Sequence, residues 1–425
     1  MNADLQAHAE TAIRTMKAAG FDHAQAVAKT ADFDELNVTN NDVNLFRTVN
    51  KPSLDLKGIV DGRKATQTIP LPEPDVLEEI VSSLFTTARQ APEDPANAIS
   101  TNQVHDYVDG PLTADKSAMV QRLRELFDYR VKHTKTAQIT EGILSHQRNQ
   151  YVLANSSGSI LRADLGCYES FFMAVGQKDG KSSSMGYSMG TSRDLEHPFS
   201  ERFGTDTLLE HAQQQIETTR IRESFNGSIL LSPMTVMDLV AYLQDQVGDG
   251  ALLTNSSMYK DKVGEVIAAK DLSIFHTATA PGSAPHSTDG YVVEDFPLVE
   301  EGRLETLLPT NYASRKCDLS HKPNGGTFSV RPGGQNRDHL LSEIQRGALV
   351  GRLSMGRPAV NGDFSGVIKN SFTIAEGKIG PALSETMISG NVAQMLKDID
   401  GISLETINFG GSVLPWIRIP HLVFS

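Results

Sequence analysis

Val360-Asn361-Gly362-Asp363-Phe364-Ser365-Gly366-Val367-Ile368-Lys369-Asn370-Ser371-Phe372-Thr373-Ile374 is the stretch on which the reading of this chain turns. It continues through Ala375-Glu376-Gly377-Lys378-Ile379 to Thr386-Met387-Ile388-Ser389-Gly390-Asn391-Val392-Ala393-Gln394-Met395-Leu396. Asn361-Gly362-Asp363 combines a residue tolerant of left-handed φ with an Asx side chain that can close a bend. Val367, Phe372 and Ile374 suggest an extended segment, and Glu376-Gly377 is a tight turn into Lys378-Ile379, the pattern of a hairpin. Gly390 is read as a break in the strand. Asn391 then caps a helix from Val392 to Lys397 by accepting from its free N–H groups. Positive φ is expected at Gly362, at Gly390, or at both.

Outward from this stretch, the chain of 425 residues is long enough for two or three structural units. A helix is expected from Leu5 to Ala19, ending at Gly20. Strands follow at Ala24 to Thr30, Glu35 to Thr39, Asn44 to Val49 and Leu54 to Val60, with turns at Asn40-Asn41-Asp42 and Asp61-Gly62. Pro74 to Arg89 reads as a helix with Val76, Ile80, Leu84 and Thr87 on one face. Gln90 to Pro111, proline-rich and polar, reads as a linker or exposed loop. Ser117 to Lys132 carries Met119, Leu123, Leu126 and Phe127 at helical spacing. Ala137 to Ser192 is a β-meander with turns at Asn155-Ser156-Ser157-Gly158 and Asp179-Gly180, and a helix from Thr207 to Thr219 closes this half. A boundary falls between Arg222 and Asn226.

Beyond it come a strand at Ser228 to Leu231 and a helix from Met234 to Gln246. Further strands are expected at Leu272 to Thr277, Gly290 to Phe296 and Arg303 to Leu308, with a helix at His339 to Arg346. The tail Val413 to Phe424 holds the only tryptophan, Trp416, between Pro415 and Pro420, and its prolines suit an edge strand. The tail and the Met234 to Gln246 helix are surfaces expected to be buried. The fold class is α+β in two domains: residues 1–222, mixed α and β with a sub-boundary near 105, and a β-rich unit over 223–425. No internal repeat at a fixed period is visible.

Composition bounds the function. A formal net charge of −13 argues against a phosphate-binding surface, since nucleic-acid binding rests on clustered lysine and arginine. The start of the chain has neither a basic leader nor an apolar core, so no secretory signal is expected there. The most apolar stretch, Ile229 to Leu243, is interrupted by Ser232, Pro233 and Asp238, and no membrane span is expected. Two cysteines, Cys167 and Cys317, are too few for a disulfide framework and fit a reducing cytoplasm.

Two motifs imitate catalytic signatures. Gly186-Tyr187-Ser188-Met189-Gly190 matches a nucleophile elbow, but Lys181-Ser182-Ser183-Ser184 precedes it and no helical pattern follows, so a plain strand is the better reading. Gly176 to Ser182 imitates a phosphate loop with one residue too few between its glycines, and a hairpin turn at Asp179-Gly180 explains it.

Gly362-Asp363-Phe364-Ser365-Gly366, the glycine hairpin and Ile388-Ser389-Gly390-Asn391 before a short helix resemble the C-terminal signature of the TldD/PmbA family. That family carries the historical label "modulator of DNA gyrase" and is peptidase-related. The resemblance runs from about Ser228 onward, through Lys262-Val263-Gly264-Glu265, Glu300-Glu301-Gly302-Arg303-Leu304, Asn311-Tyr312-Ala313-Ser314-Arg315-Lys316 and Gly347-Ala348-Leu349-Val350. Active members resembling TldD carry His-Glu-x-x-x-His on the helix that opens the C-terminal domain, with a later cysteine as a further zinc ligand. The helix at the matching place, Met234 to Gln246, has neither histidine nor glutamate, and no cysteine follows Cys317. His276, His286, His321 and His339 share no face by spacing, and Asp338 reads as a cap for the helix at His339.

The resemblance therefore implies a PmbA/TldE-type subunit without cofactor or metal, paired with a TldD-like chain to handle unfolded peptides, with no nucleic acid or membrane as partner. Dimers through the C-terminal domain follow from it. An exposed strand edge binds extended peptide by β-augmentation in this reading, with groove candidates Asn361, Gly362, Asp363, Phe364, Ser365, Ser389, Gly390 and Asn391. Two other readings stay open: a stand-alone hydrolase drawing on Glu294-Asp295, Glu300-Glu301 or Asp363, and a homodimeric peptide-binding protein.

Overall fold

The computed structural model describes residues 3–72 and 74–425. Its first half runs α1 (Ala3–Ala18), β1 (His23–Thr39), β2 (Asp42–Asn50), β3 (Ser53–Val60), β4 (Arg63–Ile69), α2 (Pro74–Gln90), β5 (Val104–Asp109), α3 (Lys116–His133), β6 (Ala137–Asn155), β7 (Ile160–Lys178), β8 (Lys181–Ser182), β9 (Gly186–Ser192) and α4 (Thr205–Gln214). The strands form one sheet in the order β4-β3-β1-β6-β7-β5, with β2 added on β1 and β8 and β9 on β7.

β1, β6 and β7 are long enough, at 17 to 19 residues, to serve two cores along their length. At one end Ala24, Ala26 and Ala28 alternate inward beside Leu54 and Leu56, and their small side chains let α1 and α2 settle on the sheet. At the other end Leu36, Val38, Leu144 and Phe172 face α3 and α4. That second core continues without a break into the C-terminal half, through Leu209, Ile229, Val236 and Ile417.

The second half runs β10 (Phe225–Leu231), α5 (Pro233–Val247), α6 (Asp249–Leu253), β11 (Ile274–Thr277), β12 (Phe296–Glu300), β13 (Arg303–Leu304), α7 (Asn311–Cys317), β14 (Thr327–Val330), α8 (Arg337–Ser342), β15 (Arg346–Val350), β16 (Arg352–Ser354), β17 (Asp363–Lys369), β18 (Phe372–Ala375), β19 (Lys378–Ala382), β20 (Thr386–Asn391), α9 (Val392–Asp398), β21 (Gly401–Asn408) and β22 (Val413–Phe424). Its main sheet has the order β16-β17-β20-β22-β10-β15-β18-β19 with β21 on β22, and a small sheet orders β13-β12-β11-β14. The α+β class expected from the sequence is what the structure has.

Several expectations are corrected. Residues 90–111 are no plain linker: Ile99 and Ser100 are buried, and β5 lies parallel to β7. Asn155 Nδ2 donates to the Ser100 backbone oxygen at 3.0 Å, which is how so polar a segment can be covered. β1 is one strand, not two, because its polar middle pairs with β6 throughout. The core face of α2 is Leu77, Val81, Leu84 and Ala88, which keeps Leu84 of the expected stripe and moves the other three by one position, with Val76 half exposed. α4 ends at Gln214 rather than Thr219, and the Thr219 N–H instead bonds the Ala382 oxygen at 2.8 Å.

In the second half, the strand expected at Gly290 to Phe296 begins only at Phe296, and that at Arg303 to Leu308 is two residues long. The helix expected at His339 to Arg346 is Arg337–Ser342, capped by Asn336, which accepts from the His339 N–H, and not by Asp338. The extension expected across Val367 to Ile374 breaks at Asn370, whose φ is +49°. β17 and β18 consequently leave for opposite ends of the sheet. Gly390 does not break a strand: β20 runs through it, and it pairs with Phe364.

The tail is the largest correction. β22 is interior, flanked by β10 and β20. Its second proline is tolerated because Pro420 and His421 together oppose Ser228, between the Ile229–Ile419 and Gly227–Leu422 pairs. His421 takes φ +65° there, the geometry of a bulge in which a missing N–H interrupts no ladder bond.

Candidate functional site

The groove candidates cluster at the β17–β20 pair, where Asp363 opposes Asn391, Phe364 opposes Gly390 and Ser365 opposes Ser389. Their polar groups are largely satisfied by one another. Asn391 Nδ2 donates to Asp363 Oδ1 at 2.8 Å and to the Asn361 oxygen at 2.7 Å, while Asn391 Oδ1 accepts from the Gln394 N–H. Asn361 Nδ2 reaches Asp363 Oδ2 at 2.7 Å. These bonds, Asn391 first, hold the Asp363 carboxyl below the usual carboxylate range. Gly362 and Phe364 are buried; Asp363, Ser365 and Gly390 are exposed. β16 pairs with β17 only at Val367 to Lys369; beyond it the edge is partly covered by the chain before β17, where the Ala359 N–H donates to the Asp363 oxygen at 2.9 Å and Met355 lies against the buried Gly366.

The other sequence candidates do not converge. Ser188 is buried, its hydroxyl bonded to the Phe203 oxygen and to Thr205 Oγ1 at 2.8 Å, which leaves no nucleophile to expose. His276 stacks on Phe296 at 4.4 Å. His286 lies between Tyr151 Oη, 2.7 Å from its Nδ1, and His105 Nδ1, 2.8 Å from its Nε2, and burial pushes it down to about 4. His321 meets Asp289 at 3.2 Å, and His339 sits on α8 beside Glu343. Asp295 accepts from the Ala278 N–H and Glu300 pairs with Arg331. Burial pushes the Cys167 thiol up to about 11.

Zinc needs three or four converging nitrogen, sulfur or oxygen ligands. α5 occupies the place where the resemblance puts the metal-binding helix, and it offers only hydroxyls, amides, thioethers and two aspartates. Among the described residues no three histidine, cysteine, aspartate or glutamate side chains are grouped to hold a metal. The residues present do not fit zinc.

What the structure brings together instead is a cavity at the seam between the two halves. It has a volume of about 110 Å³ and lies at the head of α5, beside Ser232, Pro233 and Met234. One wall comes from β9 and the segment into α4, through Tyr187, Phe203, Leu208 and His211. The other comes from Leu349, Arg352, Phe409 and Trp416. Arg352 lies over the Tyr187 ring and Arg337 over the Trp416 ring, each with its guanidinium carbon 5.5 Å from the ring centre. Burial pushes His211 down to about 4, so it is neutral near pH 7. A wider, polar cleft of about 680 Å³ shares Phe203, Arg337 and Trp416 with the cavity and adds Arg193, Asp194 and Arg202. Along the outer side of α5 runs another cleft, of about 740 Å³, between Tyr242 and Asp245 and the Met355 to Val360 segment. The seam was not legible as a site, since its wall residues are scattered from 186 to 416; the lone tryptophan was its one visible marker.

A family model described as the PmbA/TldA metallopeptidase C-terminal domain matches residues 225–425. Among curated proteins, the chain is 28% identical over 250 residues to "Metalloprotease PmbA" of Escherichia coli O157:H7, covering 55% of this chain and 54% of that one. It is 27% identical over 186 residues to a "Metalloprotease" of Methanothermobacter thermautotrophicus, covering 38% and 40% of the two chains. The match thus spans about half or less of these curated relatives. Among solved structures, TldE from Thermococcus kodakarensis superposes with a TM-score of 0.83 at 19% identity, over 98% of this chain and 100% of that one. A candidate modulator of DNA gyrase from Bacteroides thetaiotaomicron superposes with a TM-score of 0.87 at 16% identity, over 100% and 99%. The fold is shared along the whole length, and residues 225–425 carry the C-terminal domain of the metallopeptidase-related TldD/PmbA family.

Proposed function

We propose that this chain is the non-catalytic, PmbA/TldE-type subunit of a two-chain cytoplasmic peptidase, with a TldD-like partner supplying His-Glu-x-x-x-His and the zinc. The observation that carries this reading is α5: the helix has its place at the start of the C-terminal unit and a buried face of Val236, Leu239, Val240 and Leu243, while lacking any histidine or glutamate. The unit over residues 223–425 would form one wall of the substrate chamber and the unit over 1–222 would flank it. Extended, unfolded peptide would lie along the β17 edge at Ser365, which can offer backbone groups to a new strand.

Elemental analysis of the purified chain tests the metal part. The reading expects far less than one zinc per chain after passage over a chelator and return to micromolar zinc. About one zinc per chain, retained with the stoichiometry of a single-metal site, would overturn it.

A further inference from the structure

We propose that the seam cavity is a binding subsite for a carboxylate that carries an apolar side chain, with the side chain entering beside Trp416 and Leu349 and the carboxylate meeting Arg352 and Arg337. The volume of about 110 Å³ is somewhat below the roughly 150 Å³ of an apolar cavity that takes up benzene. It suits one branched aliphatic side chain. The rings and aliphatic groups of its walls reward such an occupant by removing it from water.

The rim supplies the complementary charge. Other arginines of the chain have close carboxylates: Arg148 has Asp164 at 2.8 Å, Arg193 has Asp109 at 2.8 Å and Arg202 has Asp194 at 2.6 Å. Arg352 has no ion pair among the described residues, and its guanidinium carbon lies 5.5 Å from the centre of the Tyr187 ring. Arg337 reaches only Asp338, at 3.2 Å, a side chain 81% exposed. In a chain of net charge −13, two weakly neutralised guanidiniums at one apolar cavity are an uncommon local surplus. A planar guanidinium stacked on an aromatic ring is already ordered for a carboxylate, so little side-chain freedom is lost on binding. No acid lines the cavity itself; Asp238, on the outer side of α5, acts electrostatically on Arg352, and Asp194, Glu201 and Asp206 line the adjoining polar cleft that Arg337 shares.

A peptide C-terminus and a free small carboxylate both have this chemistry. The test uses the chain alone, so it stands apart from whether a TldD-like partner exists. Fluorescence of Trp416, the only tryptophan, is titrated with an acetylated tetrapeptide ending in leucine, with its C-terminal amide, and with N-acetyl-leucine. The free-acid peptide is expected to change the signal saturably and the amide to bind at least about tenfold more weakly, as loss of a charge-assisted contact implies. Arg352→Met should close that gap, with Arg337→Met as a second variant if the first folds poorly. N-acetyl-leucine binding as tightly as the peptide identifies small carboxylates as the ligands; much weaker binding identifies peptide C-termini. Equal binding of acid and amide, or no response of Trp416 at millimolar free acid, overturns the proposal.

Discussion

Gly362 and Gly390 look alike in sequence and differ in the fold. Gly362 has φ +89°, and a Cβ there would sit 2.9 Å from Asn391 Oδ1. Gly390 is extended, and its added Cβ would meet side chains rather than backbone, the end of Leu422 at 2.8 Å and the Phe364 ring at 3.4 Å. Gly362→Ala should therefore cost about 1 kcal/mol or more, and Gly390→Ala clearly less, in urea unfolding. Equal losses would show that the turn is not the strained element. Two buried histidines set a pH dependence at the same scale. His211 and His286 are each pushed from an ordinary 6.5 down to about 4 by burial. The unfolded chain thus binds more protons than the folded one between these values. Their contribution is complete above pH 6.5 and is lost as pH falls toward 4, with a slope of up to about 1.4 kcal/mol per pH unit for each. Chemical unfolding at pH 7, 6 and 5 reads this slope, and replacing both by Asn should flatten it.

Among the elements, what was legible followed local rules. Helical spacing of apolar residues located α3, and the Asp-Gly and Glu-Gly turns appear where expected, with φ of +50° and +77° at Asp179-Gly180 and +48° and +72° at Glu376-Gly377. β5 and β22 were misread because their setting is tertiary. β5 alternates exposed and half-buried positions, so it has no apolar signature and is held by β7. β22 carries two prolines yet lies inside the sheet, since a bulge absorbs Pro420. The pattern Gly186 to Gly190 is a strand of the same kind, pairing with β7 and pinned from behind by Thr205. Ser188→Ala should cost about 0.5–1.5 kcal/mol of stability, the usual worth of a buried hydrogen bond, and should leave any esterase background unchanged. Loss of an esterase activity with unaltered stability would contradict the structural role.

For the whole molecule, the family was legible because its signature is local, in the turns around Gly362 and Asn391. The cavity was not, because β9, α4, β15, β16 and β22 each contribute one to three side chains to it, and only the folded sheet order brings them together. The same sheet order places α5 at the seam, stripped of zinc ligands. That helix is why the account makes this chain one wall of a shared chamber and not a peptidase alone. Reconstituted cleavage tests this most directly: an unfolded peptide is incubated with zinc and this chain, with a TldD-like chain of the same cell, and with both. The account predicts no cleavage by this chain alone and robust cleavage only when the two co-elute as a complex. Cleavage by this chain alone at the rate of the mixture would contradict it.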